Sequence, residues 1–490
     1  MKVAHLPEPE LEFGDSGRHV DVRFGLMEFG PLDRGTVRAP VNIKVGIVGT
    51  NETVEGISRW LESCQRGISA SASRQPNLFP HFPGFSKDSA FGVDLVLDGQ
   101  FQGIIPRRSI VEALPQVGAF NRVEEAVGLF IEECAHLAEK VKPDVLICAP
   151  PADLLDALEE NISTFSDVGV ESDNDEGGEG FKNVRQPTFH DILKARGMVL
   201  PVPIQMVRPE TYDQRKRRRQ ARRPERMRGL QDEATRAWNF HTALYYKAGG
   251  TPWRIARESD EYTTCYVGVS FYRSPDQQRM MTSVAQVFNA RGDGVIVRGG
   301  LAKFEKDDRQ IHLEESDAEQ LIVEALKTYR REHKTAPARV VVHKSSVYNA
   351  AELAGFHSGA ASERIDSVDL LSIRRSSTRL FRFGYYPPLR GTMLSLDDNL
   401  FILYLKGSVD FFSTWPGMYV PRPIQVRRDD AEQTGLFLAD ELLALSKQNW
   451  NNTQFDGGLP ITLRAAGDVG AILKHVGDQE SIQARYSFYM

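Results

Sequence analysis

FHDILKARGMVLPVPIQMV (residues 189–207) and KAGGTPW (residues 247–253) decide how this chain is read. The first string opens as a short helix over Phe189 to Arg196 and continues as an apolar strand from Met198 to Val207. His190 and Lys194 stand four residues apart, so they share one helical face and reach the same ligand. Gln205 follows 11 residues after Lys194, inside the strand. A further helix from about Glu233 to Lys247 ends at Gly249-Gly250 with Pro252 behind it, the usual stop signal. Lys194 and Lys247 bring two full charges, Gln205 an amide donor, and His190 a ring able to stack or donate. A terminal phosphate carries nearly two negative charges and suits such a set, at about 1.5–3 kcal/mol per charge-assisted bond. Taken singly, each residue has a plainer explanation: a solvated helix face, an incidental strand amide, a base facing a helix C-terminal dipole.

Working outward, Val41 to Val48 reads as a strand rich in β-branched residues. Gly49-Thr50-Asn51 supplies a turn and a helix N-cap, and Val54, Ile57 and Leu61 then recur at helical spacing. A helix over Val123 to Val141 precedes a strand at Val145 to Cys148. Alternating strands and helices imply a Rossmann-like α/β layer. Gly46-Ile-Val-Gly49 lacks the third glycine of a dinucleotide fingerprint and reads as a strand-to-helix turn. The second half begins with a strand, Cys265 to Tyr272. Strands at Gly294 to Val297 and His312-Leu313, a helix over Ala318 to Arg331 and a buried strand at Arg339 to His343 follow. Strands at Asn399 to Lys406 and Gln425-Val426 precede a helix from Asp430 to Gln448. That order fits an RNase H-like α/β sheet, among other mixed α/β folds.

At 490 residues the chain exceeds the size of one core, so two domains are expected, over residues 1–258 and 259–490. Apolar residues at 41% and charged residues at 26% describe an ordinary globular protein. A net charge of −6 argues against a polyanion-coating protein. The average hides segregation, however. Six acids and no base occupy residues 167–179, within an acidic, Gly-rich insertion at about 167–180 that reads as a surface loop. Nine bases and one acid occupy the basic block 215–228. Arg208, Arg215, Lys216, Arg217, Arg218, Arg219, Arg222 and Arg223 are candidate contacts to a nucleic-acid backbone through counterion release. A solvated loop balancing its acidic neighbours is the other reading of that block. Cys64, Cys134, Cys148 and Cys265 form no C-x-x-C pair and read as small buried hydrophobes in a reducing cytosol. No apolar stretch is long enough to span a bilayer, and the N-terminus has no signal-like apolar region, so a cytoplasmic protein without a membrane partner is expected.

Residues Phe189 to Trp253 resemble the MID domain of Argonaute proteins, and specifically its 5′-phosphate pocket. His190, Lys194, Gln205 and Lys247, with Ala248-Gly-Gly-Thr-Pro-Trp253, stand at the family's order and spacing. The second half resembles a PIWI domain. The resemblance therefore implies a Rossmann-like MID domain followed by an RNase H-like PIWI domain. Phe29-Gly30-Pro31-Leu32 and Gly46 to Thr50 resemble the opening of short prokaryotic Argonautes, and the remaining length leaves no room for N-terminal and PAZ domains. Slicing members hold two metal ions with Asp, Glu, Asp and a fourth ligand, because hard divalent cations take oxygen donors. At the corresponding positions this chain has Ser270, Ser345 and Ala466, so no slicer activity is expected.

The resemblance implies further properties. They are a guide RNA, a single-stranded DNA target, and an effector subunit with a PAZ-analogue segment and a TIR, sirtuin-like or nuclease domain. Activation by target, with possible oligomerisation of the complex, would serve defence against plasmids or phage. It also implies Mg2+ at the guide 5′-phosphate, held with the C-terminal carboxylate of Met490. The aromatic tail Arg485 to Met490 suits that role and equally suits simple burial in the core. Two rival readings stand beside this one. The first is an active nuclease using Asp293, Glu305, Asp307 and Asp308. The second is a nucleotide-binding regulator built on the Val45 to Thr50 turn.

Overall fold

The computed structural model describes residues 1–113, 119–163, 188–213, 231–256, 263–274, 279–288, 294–381, 383, 387–412, 414–415, 420–455, 457–477 and 480–490. Its first α/β layer is a parallel sheet in the order Asp94–Val96, Asn42–Gly49, Val145–Ala149, Ile204–Met206, with Gln102–Ile104 also paired to Asn42–Gly49. Val145–Ala149 is buried throughout, as a strand covered on both faces must be. The Thr50 hydroxyl accepts from Thr53 N–H and caps the Asn51–Arg66 helix. Glycine is required at Gly49 by packing: a Cβ there would lie 2.4 Å from Thr53 Oγ1 and 2.8 Å from Ala149 O. The turn is thus closed against its own helix and the neighbouring strand.

The second layer is a ten-stranded mixed sheet. Its order is Lys2–His5, Thr392–Ser395, Leu400–Leu403, Ile424–Asp430, Ser367–Arg375, Arg339–Lys344, Thr264–Arg273, Met280–Phe288, Ile296–Phe304, Ile311–His312. Thr264–Arg273, Arg339–Lys344 and Ser367–Arg375 run parallel to one another. The Glu315–His333 helix buries Ala318, Leu321, Ile322, Ala325, Leu326 and Tyr329 in the core on one face of that parallel trio. The Ile461–Leu473 helix covers the other face, and a Cβ on Gly268 would lie 2.2 Å from Thr462 O. The mixed α/β class expected from the sequence is the class observed.

Several boundaries differ from the sequence reading. Only Ile204–Met206 of the Met198 to Val207 stretch is a strand, because Pro201 and Pro203 carry no N–H and Gly197–Val199 forms a 3-10 turn. Asp430 ends a strand instead of opening a helix; the helix runs Gly435–Leu445, capped by the Thr434 hydroxyl on Phe437 N–H. Lys2–His5, Met280–Phe288, the helix Ala350–Ser362 and Ser367–Arg375 were not anticipated at all. All four cysteines are free and buried. Among the described residues no helix is long and apolar enough to cross a membrane.

Two glycines give opposite expected outcomes. Gly268→Ala drives a Cβ into backbone that cannot move alone, so urea denaturation should show a loss of about 1–3 kcal/mol. Gly128→Ala, in the Ala119–Lys140 helix with nothing within 4 Å of the new Cβ, should instead gain about 0.5–1 kcal/mol.

Candidate functional site

Three elements deliver the candidate residues to one place. Thr188 caps the Phe189–Arg196 helix by accepting from Asp191 N–H, and Lys194 lies on that helix's buried side. Gln205 sits in the middle of the strand Ile204–Met206, opposite Ile147. Lys247 is the last residue of the Glu233–Lys247 helix, which Gly249 terminates at φ +96°. The packing of these elements leaves Lys194 2% and Lys247 4% exposed.

Both ammonium groups meet the same atom. Lys247 Nζ donates to Met490 O at 2.8 Å and to Gln205 Oε1 at 2.7 Å. Lys194 Nζ donates to Ile204 O at 2.6 Å and also to Met490 O. Their partners are carbonyl and amide oxygens and the Met490 main-chain oxygen, not Asp or Glu side chains. Burial therefore dominates the electrostatics, pushing the Lys194 pKa down to about 7 and lowering that of Lys247, where the Lys194 charge adds to the effect. His190 stands at the rim with its side chain 42% exposed and its Nδ1 3.2 Å from Asp191 Oδ1. Its pKa is also lowered, by burial first and by the two lysine charges, against the opposing hydrogen bond to Asp191. A neutral imidazole presents a flat face for stacking.

The sequence reading missed how the tail is held. Tyr486, Ser487, Phe488, Tyr489 and Met490 are all buried. Gln483 Nε2 reaches Met198 O at 3.1 Å and Leu200 O at 3.2 Å, and Tyr489 donates its hydroxyl to Gln483 O at 2.9 Å. The aromatic composition of the tail signalled burial. Its place beside the lysines was implied only by the family resemblance.

The other candidate positions divide. The basic block from Arg215 to Arg228, with Arg215, Lys216, Arg217, Arg218, Arg219, Arg222 and Arg223, lies outside the described residues, as does the acidic insertion. Arg208 is exposed, just before the short helix Pro209–Tyr212. Ser270 and Ser345 lie near one another, since Val269 is paired with Lys344 and Ser345 N–H donates to Val269 O at 3.2 Å. Ala466 is fully buried in the Ile461–Leu473 helix. Beside the two serines, Lys344 Nζ lies 2.6 Å from Glu352 Oε1, with both side chains fully buried. Of the rival acids, Asp293 is outside the described residues, and Glu305 and Asp307 are exposed. Asp308 accepts from His312 Nε2 at 2.7 Å.

The depressed lysine has a stability consequence with a definite sign. A folded-state pKa near 7 against 10.5 for the free side chain means that the unfolded chain binds the extra proton between those values. Lys194 thus opposes folding fully below about pH 7, and its penalty fades as pH rises towards 10.5. Urea titrations should show Lys194→Met gaining on the wild type at pH 7 and losing that advantage by about pH 10.

Residues 181–354 match the family model described as the Piwi domain. No curated protein matches the sequence. Among solved structures, the chain is similar to Clostridium butyricum Argonaute bound to a guide DNA and a 19-mer target DNA, with TM-score 0.62 and 14% identity over 99% of this chain and 54% of that one. It is similar to Drosophila Piwi, with TM-score 0.60 and 12% identity over 99% and 56%. It is also similar to Marinitoga piezophila Argonaute in complex with a 5′-OH guide RNA, with TM-score 0.56 and 10% identity over 100% and 59%. The chain spans a little over half the length of these proteins. At such identities the likeness is one of fold. The chain therefore has an Argonaute-like fold, with residues 181–354 matching the Piwi domain.

Proposed function

We propose that this chain is the guide-binding subunit of a short prokaryotic Argonaute system. It holds the 5′-phosphate of a guide RNA, pairs the guide with single-stranded DNA without cutting it, and thereby activates an associated effector. One observation supports this above all. Two buried ammonium groups converge on a single oxygen, with an amide beside them and a half-exposed imidazole at the rim. A terminal phosphate adds negative charge opposite both buried cations, and raises their pKa values on binding. Lys194 and Lys247 neutralise it, Gln205 turns its amide to it, and His190 stacks on the first base.

Magnesium at this phosphate is part of the proposal. Besides phosphate oxygens the pocket offers such an ion the Met490 oxygen, which suits a cation that keeps several waters and binds through substrate phosphates. When bound, it would supply charge neutralisation alongside the lysines. The absence of cutting rests on Ser270, Ser345 and Ala466, none of which is a carboxylate. Among the described residues no group of three or more His, Cys, Asp or Glu is arranged to hold a metal ion. A duplex that persists in the groove is a better switch than one that is cleaved, since an equilibrium shifts only while the ligand favouring one state stays bound. The effector, carrying a PAZ-analogue segment and a TIR, sirtuin-like or nuclease domain, is inferred from the resemblance to short Argonautes.

Binding measurements test the pocket. Lys194→Ala and Lys247→Ala should each cost a 5′-phosphorylated guide about 1.5–3 kcal/mol and a 5′-hydroxyl guide far less. Because the phosphate draws a proton onto Lys194, the wild type's preference for the phosphorylated guide should weaken as pH rises above about 7. Equal losses for both guides would remove the phosphate reading. Incubating the guide-loaded chain with complementary DNA and magnesium or manganese should leave the DNA intact, and cleavage would make the chain a nuclease. Co-expression with the effector should give a complex whose NAD loss or DNA degradation depends on target complementarity.

A further inference from the structure

The loop that leaves the strand Ser367–Arg375 has a feature that the phosphate pocket does not use. From Leu370 to Leu396 the sequence contains five arginines and no acid, and within it Arg379-Leu-Phe-Arg-Phe-Gly-Tyr-Tyr386 alternates bases with aromatics. Phe381 is 75% and Phe383 88% exposed, their ring centroids 5.0 Å apart and the planes at 77°. Two adjacent phenyl rings left in water are unfavourable unless something covers them.

The stretch that leads into them is anchored. Ser376 N–H donates to Pro423 O at 2.9 Å, and Leu380 N–H donates to the hydroxyl of the buried Tyr404 at 2.7 Å. Arg379 Nη1 donates to the carbonyls of Ser376, Ser377 and Thr378 at 3.0–3.3 Å. These bonds clamp the base of the loop from which the two rings project. The loop emerges where the parallel strands Thr264–Arg273, Arg339–Lys344 and Ser367–Arg375 all end. That is the edge carrying Ser270 and Ser345, and the edge at which open α/β sheets take their ligands.

We propose that Phe381 and Phe383 form a stacking platform for unpaired bases of a single-stranded nucleic acid at the C-terminal edge of the ten-stranded sheet, with Arg375 and Arg379 beside its backbone. The charge decides between occupants. Arg390 is buried against Glu8, but Arg375 and Arg379 remain at the base of the loop to attract phosphates, whereas aromatics accept any base because every base has a π-face. The inference rests on the nucleic-acid reading above but not on the 5′-phosphate pocket, and its test separates the two.

The full chain is titrated with a fluorescent 20-mer of deoxythymidine and with an abasic 20-mer, both carrying a 5′-hydroxyl so that neither offers the lysines a terminal phosphate. The wild type should prefer the base-bearing strand, by on the order of 5- to 100-fold per stacked base. Phe381→Ala/Phe383→Ala should lose that preference while keeping the weaker, salt-sensitive binding of both strands. Phe381→Tyr/Phe383→Tyr should retain it, because both substituents keep a ring at the surface. Because the preference is read on strands with a 5′-hydroxyl, a failed phosphate pocket cannot imitate a failed platform. A wild type indifferent to bases, or an alanine variant with undiminished preference, overturns the proposal. Capture of a protein partner through the two rings, with oligonucleotide binding unaltered, overturns it equally.

Discussion

Two lysine ammonium groups share the Met490 oxygen, and much of the architecture exists to keep them there. Burying two cations side by side is costly, so the surrounding elements must hold their oxygens in place. One carbonyl comes from the strand Ile204–Met206, one amide from Gln205, and the shared oxygen from the tail. The tail in turn bridges the two layers. Ile296 N–H donates to Ala484 O at 2.7 Å and Tyr486 N–H to Gly294 O at 3.2 Å on the second layer, while Gln483 reaches Met198 and Leu200 on the first. Any ligand that competes for or joins the Met490 oxygen therefore acts on a segment bonded to both layers.

The ten-stranded sheet is built with the same economy of space. Gly268 admits the Ile461–Leu473 helix to backbone contact, and His343 Nδ1 meets Thr462 Oγ1 at 2.8 Å beside it. At the opposite end of the Arg339–Lys344 strand, Arg339 joins Asp369 at 2.5 Å and Glu441 at 2.6 Å. Buried ion pairs of this kind add little net stability, but removing one partner is costly, and they discriminate against alternative packings. Lys344 and Glu352 form another such pair, directly beneath the edge that Ser270 and Ser345 occupy.

How much of this was legible beforehand depended on whether the deciding force was local. Helix Phe189–Arg196 and helix Glu233–Lys247 stand where the approximate bounds read from the sequence put them, because spacing and glycine stops act within a few positions. The strand at Met198 to Val207 was overdrawn, since apolar composition speaks of burial and two prolines decide which N–H groups can pair. Lys2–His5 went unread because its partner, Thr392–Ser395, lies almost 400 residues away and no local signal encodes that pairing.

The pocket shows the same division. The resemblance to a known family singled out His190, Lys194, Gln205 and Lys247, where each residue type alone had a plainer explanation. Which oxygen the lysines would meet, how far they would be desolvated, and which way their pKa values would move were settled only when three distant segments closed on one another. Burial and proximity belong to the folded surroundings and not to a residue's neighbours in sequence. A lysine's charge is therefore written in the chain, and the cost of keeping it only in the fold.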